Sequence, residues 1–128
     1  MKVLLVNGGP HQNGCVYTAL EEVAKELNKE NIETEIIWLG LKPIAGCIAC
    51  KKCAETGKCV FDDIVNEFVE KAKDADGFIF GSPVHYAGAT GAITSFMDRA
   101  FYSASNGGKA DRFLFKPAAT VISARRAG

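Results

Sequence analysis

Four cysteines stand together as Cys47, Cys50, Cys53 and Cys59, a C-x2-C-x2-C-x5-C run. Thiolates bunched this tightly can hold an iron–sulfur cluster, because cysteines three residues apart on an irregular loop can each reach a neighbouring iron. The same spacing also serves zinc, or leaves the thiols free. Lys51, Lys52 and Lys58 lie among the cysteines. Cations there favour metal or redox chemistry at the thiols, and read equally well as solvated loop residues. The odd cysteine count leaves Cys15 without a partner.

A second chemical signal is the segment Asn7-Gly8-Gly9-Pro10-His11-Gln12-Asn13-Gly14-Cys15-Val16, which follows an apolar run and leads into a helical pattern. Its residues tolerate unusual backbone angles, and free N–H groups at a helix start make an anion site. With no Lys or Arg in it, such a site binds phosphate through backbone amides rather than a counter-charge. The plain alternative is a strand-to-helix turn. Gly14-Cys15 stands where a Walker A loop needs Gly-Lys, and Gly8, Gly9 and Gly14 do not spell the dinucleotide fingerprint. No Arg follows Cys15 closely enough to clamp phosphate as a cysteine phosphatase requires, so Cys15 reads as a small lining group.

Two more segments carry candidate chemistry. Ser82-Pro83-Val84-His85-Tyr86-Ala87-Gly88-Ala89-Thr90-Gly91 offers an apolar and aromatic surface with exposed backbone, against which a planar heteroaromatic ring can lie while amides bond its edge. His85 there is either a proton relay or an ordinary surface histidine. Ser123-Ala124-Arg125-Arg126-Ala127-Gly128 brings two guanidinium groups, able to stabilise an electron-rich ring or an anion, or simply solvated.

The elements that must position these segments alternate. Strands are expected at Lys2 to Val6, Thr34 to Leu39, Gly77 to Phe80 and Ala118 to Ser123. Helical spacing of apolar residues runs from Val16 to Asn28, from Ile64 to Ala72 behind the N-cap candidates Asp62 and Asp63, and from Ile93 to Phe101. Gly40 to Val60, which bears the cysteines, is expected to be a loop. A βαβα alternation with buried strands predicts a doubly wound parallel sheet, whose ligand lies beyond the carboxyl ends of the strands.

The 128 residues are of one-domain size, and acidic and basic residues balance to a formal charge of +0. That balance points away from nucleic acid and anionic membranes as partners and toward a small molecule. Met1 to Asn7 is too brief for a signal core or a membrane span, so the cytoplasm is the expected compartment, where disulfides are disfavoured.

In order, Gly8-Gly9-Pro10-His11…Gly14-Cys15, the cysteine run leading into Asp62-Asp63, Gly81-Ser82-Pro83-Val84-His85-Tyr86…Phe96-Met97-Asp98-Arg99, and Ser123 to Gly128 resemble the NAD(P)H-dependent FMN reductase family. The branch most similar is the iron–sulfur flavoproteins and their cluster-less relatives. The resemblance implies a flavodoxin-like fold of strand order 2-1-3-4 with FMN at the switch point. It places Pro10, His11, Gly14, Cys15, Val16 and Thr18 around the phosphate. Ser82, Pro83, Val84, His85, Tyr86 and Gly88 would meet the isoalloxazine ring, with Ser123, Arg125, Arg126 and Gly128 on its far side. Cys47, Cys50, Cys53 and Cys59 are the candidate ligands of a 4Fe-4S cluster. The implied activity is transfer of reducing equivalents from NAD(P)H through FMN to a quinone, flavin, metal or protein. The rival reading is an electron carrier without NAD(P)H activity, against which the neutral charge weighs. A homodimer or homotetramer is implied by resemblance alone. Gly9 and Val16 depart from the family, which has Ser and a hydroxyl residue there, so two side-chain bonds to phosphate are expected to be missing. The family continues with a fifth strand and a helix, so residues 1–128 are expected to be a C-terminally incomplete domain.

Overall fold

The computed structural model describes residues 1–126. Strands β1 (Lys2–Asn7), β2 (Glu33–Trp38), β3 (Gly77–Pro83) and β4 (Ala118–Ser123) form one sheet in the order β2-β1-β3-β4. Every neighbouring pair is parallel. The doubly wound parallel sheet expected from the alternation, in the strand order 2-1-3-4 that the resemblance implies, is the one observed. β3 runs three residues past Phe80, because Gly81, Ser82 and Pro83 pair with Val121, Ile122 and Ser123. Pairing thus overrides the poor strand propensity of these residues.

Helix α1 (Cys15–Lys29) covers one face of the sheet, setting Val16, Leu20 and Ala24 against Leu5 and Ile79. Helices α3 (Ile64–Lys71) and α4 (Gly91–Asn106) cover the other. There Phe68 is the hub, with its ring centroid 4.9 Å from Phe96, 5.8 Å from Phe78 and 6.0 Å from Phe113. Between β2 and α3 the cysteine-bearing connection is irregular except for one short helix, α2 (Lys52–Thr56). A single turn is too brief to show a hydrophobic period, and its signal was Gly57, which closes it at φ 73° by donating to the Cys53 carbonyl.

Two glycines bring helices close to the carboxyl edge of the sheet. A Cβ on Gly81 would stand 2.7 Å from Val16 Cγ1, and one on Gly8 would stand 2.6 Å from Ile93 Cβ. Both helix starts therefore press directly on strand ends. Among the described residues β2 and β4 are the outer strands, and Ile122 on β4 is exposed.

Glu70 on α3 receives Lys109 Nζ at 2.7 Å and Arg112 Nη1 at 2.9 Å, tying α3 to the short 3-10 turn (Ala110–Arg112) ahead of β4. The Arg112 bond, and after it the Lys109 bond, lowers the Glu70 pKa to about 2. A carboxylate depressed on folding contributes stability above its unfolded pKa and loses it as pH falls through the folded value. Glu70→Gln is therefore expected to cost about 0.2–1 kcal/mol at neutral pH, given the carboxylate's exposure. Urea unfolding at a series of pH values should show that difference vanishing between pH 4.5 and about 2.

Candidate functional site

The loop between β1 and α1 is built around Asn7, which is fully buried at the end of β1. Its Oδ1 accepts from the Gly9 N–H at 2.9 Å, and its Nδ2 donates to the carbonyls of Gln12 at 3.2 Å and His11 at 3.4 Å. From the other side Trp38 Nε1 donates to the Gly9 carbonyl at 2.9 Å. The loop is thus folded over its own strand end, and α1 starts behind Gly14 at its N-cap position, with no side-chain cap and no acidic residue in its first turn. By contrast Asp63 caps α3 and Thr90 caps α4. The first N–H groups of α1 are left for an acceptor from outside the helix.

Gly9, Pro10, His11, Gly14, Cys15 and Val16 line a cavity of about 200 Å³, closed on its far side by Pro83, His85 and Ser123. The structure therefore brings residues from three of the sequence segments to one place. A neighbouring groove of about 490 Å³ shares Gly9, Pro10 and His85 with it and opens toward Lys42 and the start of α4. His85 stands between the two.

Several of the expected site residues have partners within the protein. Val16 is buried in the core against Leu5 and Leu20, so only its backbone can meet a phosphate. Thr18 turns its hydroxyl back to the Gly14 carbonyl at 3.2 Å. Ser82 is buried, donating to the Pro83 carbonyl at 2.9 Å and accepting from the Thr90 N–H at 3.0 Å, so it clips the loop shut and has no free hydroxyl for a ring. The Val84 N–H is spent on the Ser123 carbonyl and the His85 N–H on the Gly88 carbonyl. What remains is the turn tip, where Tyr86 at φ 43° and Ala87 at φ 63° are both left-handed. Two non-glycine residues in that region mark backbone strain held by the surrounding loop. Arg125 and Arg126 are exposed just beyond β4, and Gly128 lies outside the described residues.

The cysteines form a second centre. Cys47, Cys50, Cys53 and Cys59 all line one narrow cavity of about 20 Å³ with Phe61, Arg99 and Tyr102. Three of the sulfurs accept N–H donors: Cys47 from Ala49 N at 3.4 Å, Cys53 from Asn106 Nδ2 at 3.2 Å and Cys59 from Arg99 Nε at 3.2 Å. Ala49 and Lys51 are left-handed, which wraps the loop around Cys50. Among the described residues no three His, Cys, Asp or Glu side chains are close enough to hold a single metal ion.

Arg99 and Asn66 organise this centre. Arg99, 1% exposed, forks onto both oxygens of Asp63 at 2.7 and 2.9 Å and donates to the carbonyls of Phe61 and Ala45. Burial opposes its charge, but the bonds to Asp63 and Cys59 outweigh that and raise its pKa. Asn66 holds the Cys59 backbone from both sides, accepting from its N–H and donating to its carbonyl. Asp98 accepts from the Cys47 N–H at 3.2 Å. None of Asn7, Asn66 or Arg99 was singled out as a site residue from sequence. Polar residues at apolar-spaced positions, Asn7 ending a buried strand and Asn66 and Arg99 on buried helix faces, were the available signal.

A parallel sheet of order 2-1-3-4 with its loops converging beyond the carboxyl ends defines a flavodoxin-like α/β protein. The sequence model of the family described as NADPH-dependent FMN reductase matches residues 1–128, and the chain belongs to that family. It is 40% identical over 99 residues to an iron–sulfur flavoprotein of Methanocaldococcus jannaschii, covering 77% of this chain and 51% of that protein. An iron–sulfur flavoprotein of Archaeoglobus fulgidus is 30% identical over 120 residues, covering 94% of this chain and 59% of that one. The chain thus spans about half the length of these curated relatives. Among solved structures, a flavone reductase superposes with a TM-score of 0.67 at 20% identity, covering 97% of this chain and 43% of that one. The flavoenzyme NAD(P)H:(acceptor) oxidoreductase of Paracoccus denitrificans gives 0.66 at 16%, covering 94% and 59%. At these identities the structural likeness concerns the fold. Among the described residues no helix is long and apolar enough to cross a membrane.

Replacing Asn7 by Leu strands the Gly9 N–H and the His11 and Gln12 carbonyls. The expected cost is about 1–3 kcal/mol in urea unfolding. Hydrogen exchange at the amides of residues 9–13 should rise, while that of the β1 core stays slow.

Proposed function

We propose that this chain is the FMN-binding part of an NAD(P)H oxidoreductase that passes reducing equivalents to a quinone, flavin, metal or protein acceptor. The observation that carries the reading is the uncapped start of α1, opening into a cavity that also meets the ends of β3 and β4. An unpaired set of helix N-terminal donors fits a phosphate dianion without any basic side chain. Backbone N–H groups of Cys15, Val16 and Tyr17 would hold that phosphate, with Pro10, His11 and Gly14 as the rim. Pro83, His85 and Ser123 would meet the ring. FMN, when bound, supplies hydride acceptance and release of electrons in ones or twos.

The chain's own part is position and electrostatics. Tyr86 and Ala87, whose N–H groups have no acceptor among the described residues, offer donors at the tip of the β3–α4 loop. Arg125 or Arg126, exposed past β4, supplies positive charge to the same edge. The groove beside His85, with the exposed cation Lys42 on its rim, is the proposed route of approach for the nicotinamide.

We further infer that Cys47, Cys50, Cys53 and Cys59 hold an iron–sulfur cluster. What supports this is the naming of relatives as iron–sulfur flavoproteins, together with the convergence of the thiols on one cavity and the N–H donors on their sulfurs. A cluster takes one thiolate per iron, whereas zinc draws all its ligands to one point. The second reading is a flavin and cluster electron carrier that lacks NAD(P)H activity, which the relatives' names accommodate equally. We also infer a cytoplasmic homodimer or homotetramer, which mass measurement in solution tests.

Anaerobic addition of NADPH and NADH to the FMN-loaded protein tests the reading. Bleaching of the flavin band near-completely within minutes by either nucleotide is the expected result. A flavin that stays oxidised until dithionite is added selects the carrier reading, and a protein that takes up no FMN contradicts both.

A further inference from the structure

The cysteine cavity holds donors that the proposed redox reaction does not itself require. Arg99 Nε points at Cys59 Sγ at 3.2 Å, and Asn106 Nδ2 points at Cys53 Sγ at 3.2 Å. Both come from α4, as does Asp98, which takes the Cys47 N–H. Arg99 is 1% exposed, and Cys53 is buried too. Solvent therefore screens little at the Arg99 donor and at the Cys53 acceptor, while Asn106 and Cys59 are only partly shielded.

We propose that Arg99 and Asn106 are positioning residues that set the potential of the cysteine centre, their N–H bonds to Cys59 and Cys53 favouring its reduced state. This rests on the iron–sulfur reading above. The event is the gain of one electron by the centre, supplied in the test by dithionite, with no bond made or broken. The added electron places more negative charge on the sulfurs, so a donor aimed at sulfur stabilises the reduced state more than the oxidised one. Asp63 neutralises the Arg99 guanidinium by direct contact, since both of its oxygens accept from it. What acts at Cys59 is then the directed Nε–H dipole rather than a net charge. Loss of a donor therefore lowers the potential even where the positive charge is kept.

The geometry also separates the two residues experimentally. Arg99 is tied to Ala45, Phe61 and Asp63 as well as to Cys59, so changing it disturbs the loop. Asn106 is exposed at the end of α4, and removing its amide leaves no buried charge behind. Arg99→Lys keeps the charge but not the Nε–H; Asn106→Leu removes the other donor.

The protein and both variants are loaded anaerobically with ferrous iron and sulfide, and the midpoint potential is followed by electron paramagnetic resonance during dithionite titration. Asn106→Leu is expected to keep its iron and sulfide content, and in each loaded variant the reduced state loses about tenfold in relative stability, a fall of about 59 mV for a one-electron couple. An unchanged potential in loaded Asn106→Leu overturns the assignment and leaves the cluster reading standing, even if Arg99→Lys does not fold. Wild-type protein that takes up no iron and sulfide overturns both.

Discussion

A guanidinium buried to 1% exposure has to be paired, and the way Arg99 is paired organises half of this molecule. Its partners are the cap of α3, the two ends of the cysteine loop and one of the cysteine sulfurs. Removing one member of such a set leaves an uncompensated charge or unfilled donors, which costs far more than the pair contributes. The cysteine loop is consequently tied at Ala45, Cys59 and Phe61, though it has almost no regular structure of its own. Asp63 serves twice, accepting from Val65 N to start α3 while taking both arms of Arg99.

Helix α4 carries that anchor and also reaches the other site. Its N-cap, Thr90, donates to the Gly8 carbonyl at 2.7 Å and takes Ile93 N at 3.2 Å, while its own N–H goes to Ser82. The helix start is thereby locked to the ends of β1 and β3, about 12 Å along the axis from Asp98 at 1.5 Å per residue. One rigid element therefore fixes the loops of the proposed flavin site relative to the proposed cluster. A flavin reduced by two electrons and a centre that takes one at a time would be held at constant separation by it.

Most of the fold was readable because it rests on local patterns. The apolar run at Lys2 to Val6, the helical spacing from Val16 to Leu27 and the Asp63 cap all sit where expected. The Gly9 to Val16 loop was recognisable for a similar reason: glycines without cations ahead of a helix. What was not readable depended on partners distant in sequence. Arg99 meets Asp63 across 36 residues and Ala45 across 54, and on its own helix it looked like one more charged residue. From the sequence Ser82 and the amides of Val84 and His85 are free for a ligand, because nothing local shows that Thr90, Ser123 and Gly88 consume them. Nor does anything local show that the Val16 side chain fills the space that Gly81 leaves open.

The central claim is that a phosphate is bound at the start of α1 by backbone donors alone. Titrating the flavin-free protein with FMN and with riboflavin, by quenching of flavin fluorescence, tests it most directly, since the two ligands differ only in that phosphate. Two charge-assisted N–H bonds are worth enough to make FMN bind tighter by about a hundredfold or more. Equal dissociation constants for the two flavins would contradict the account.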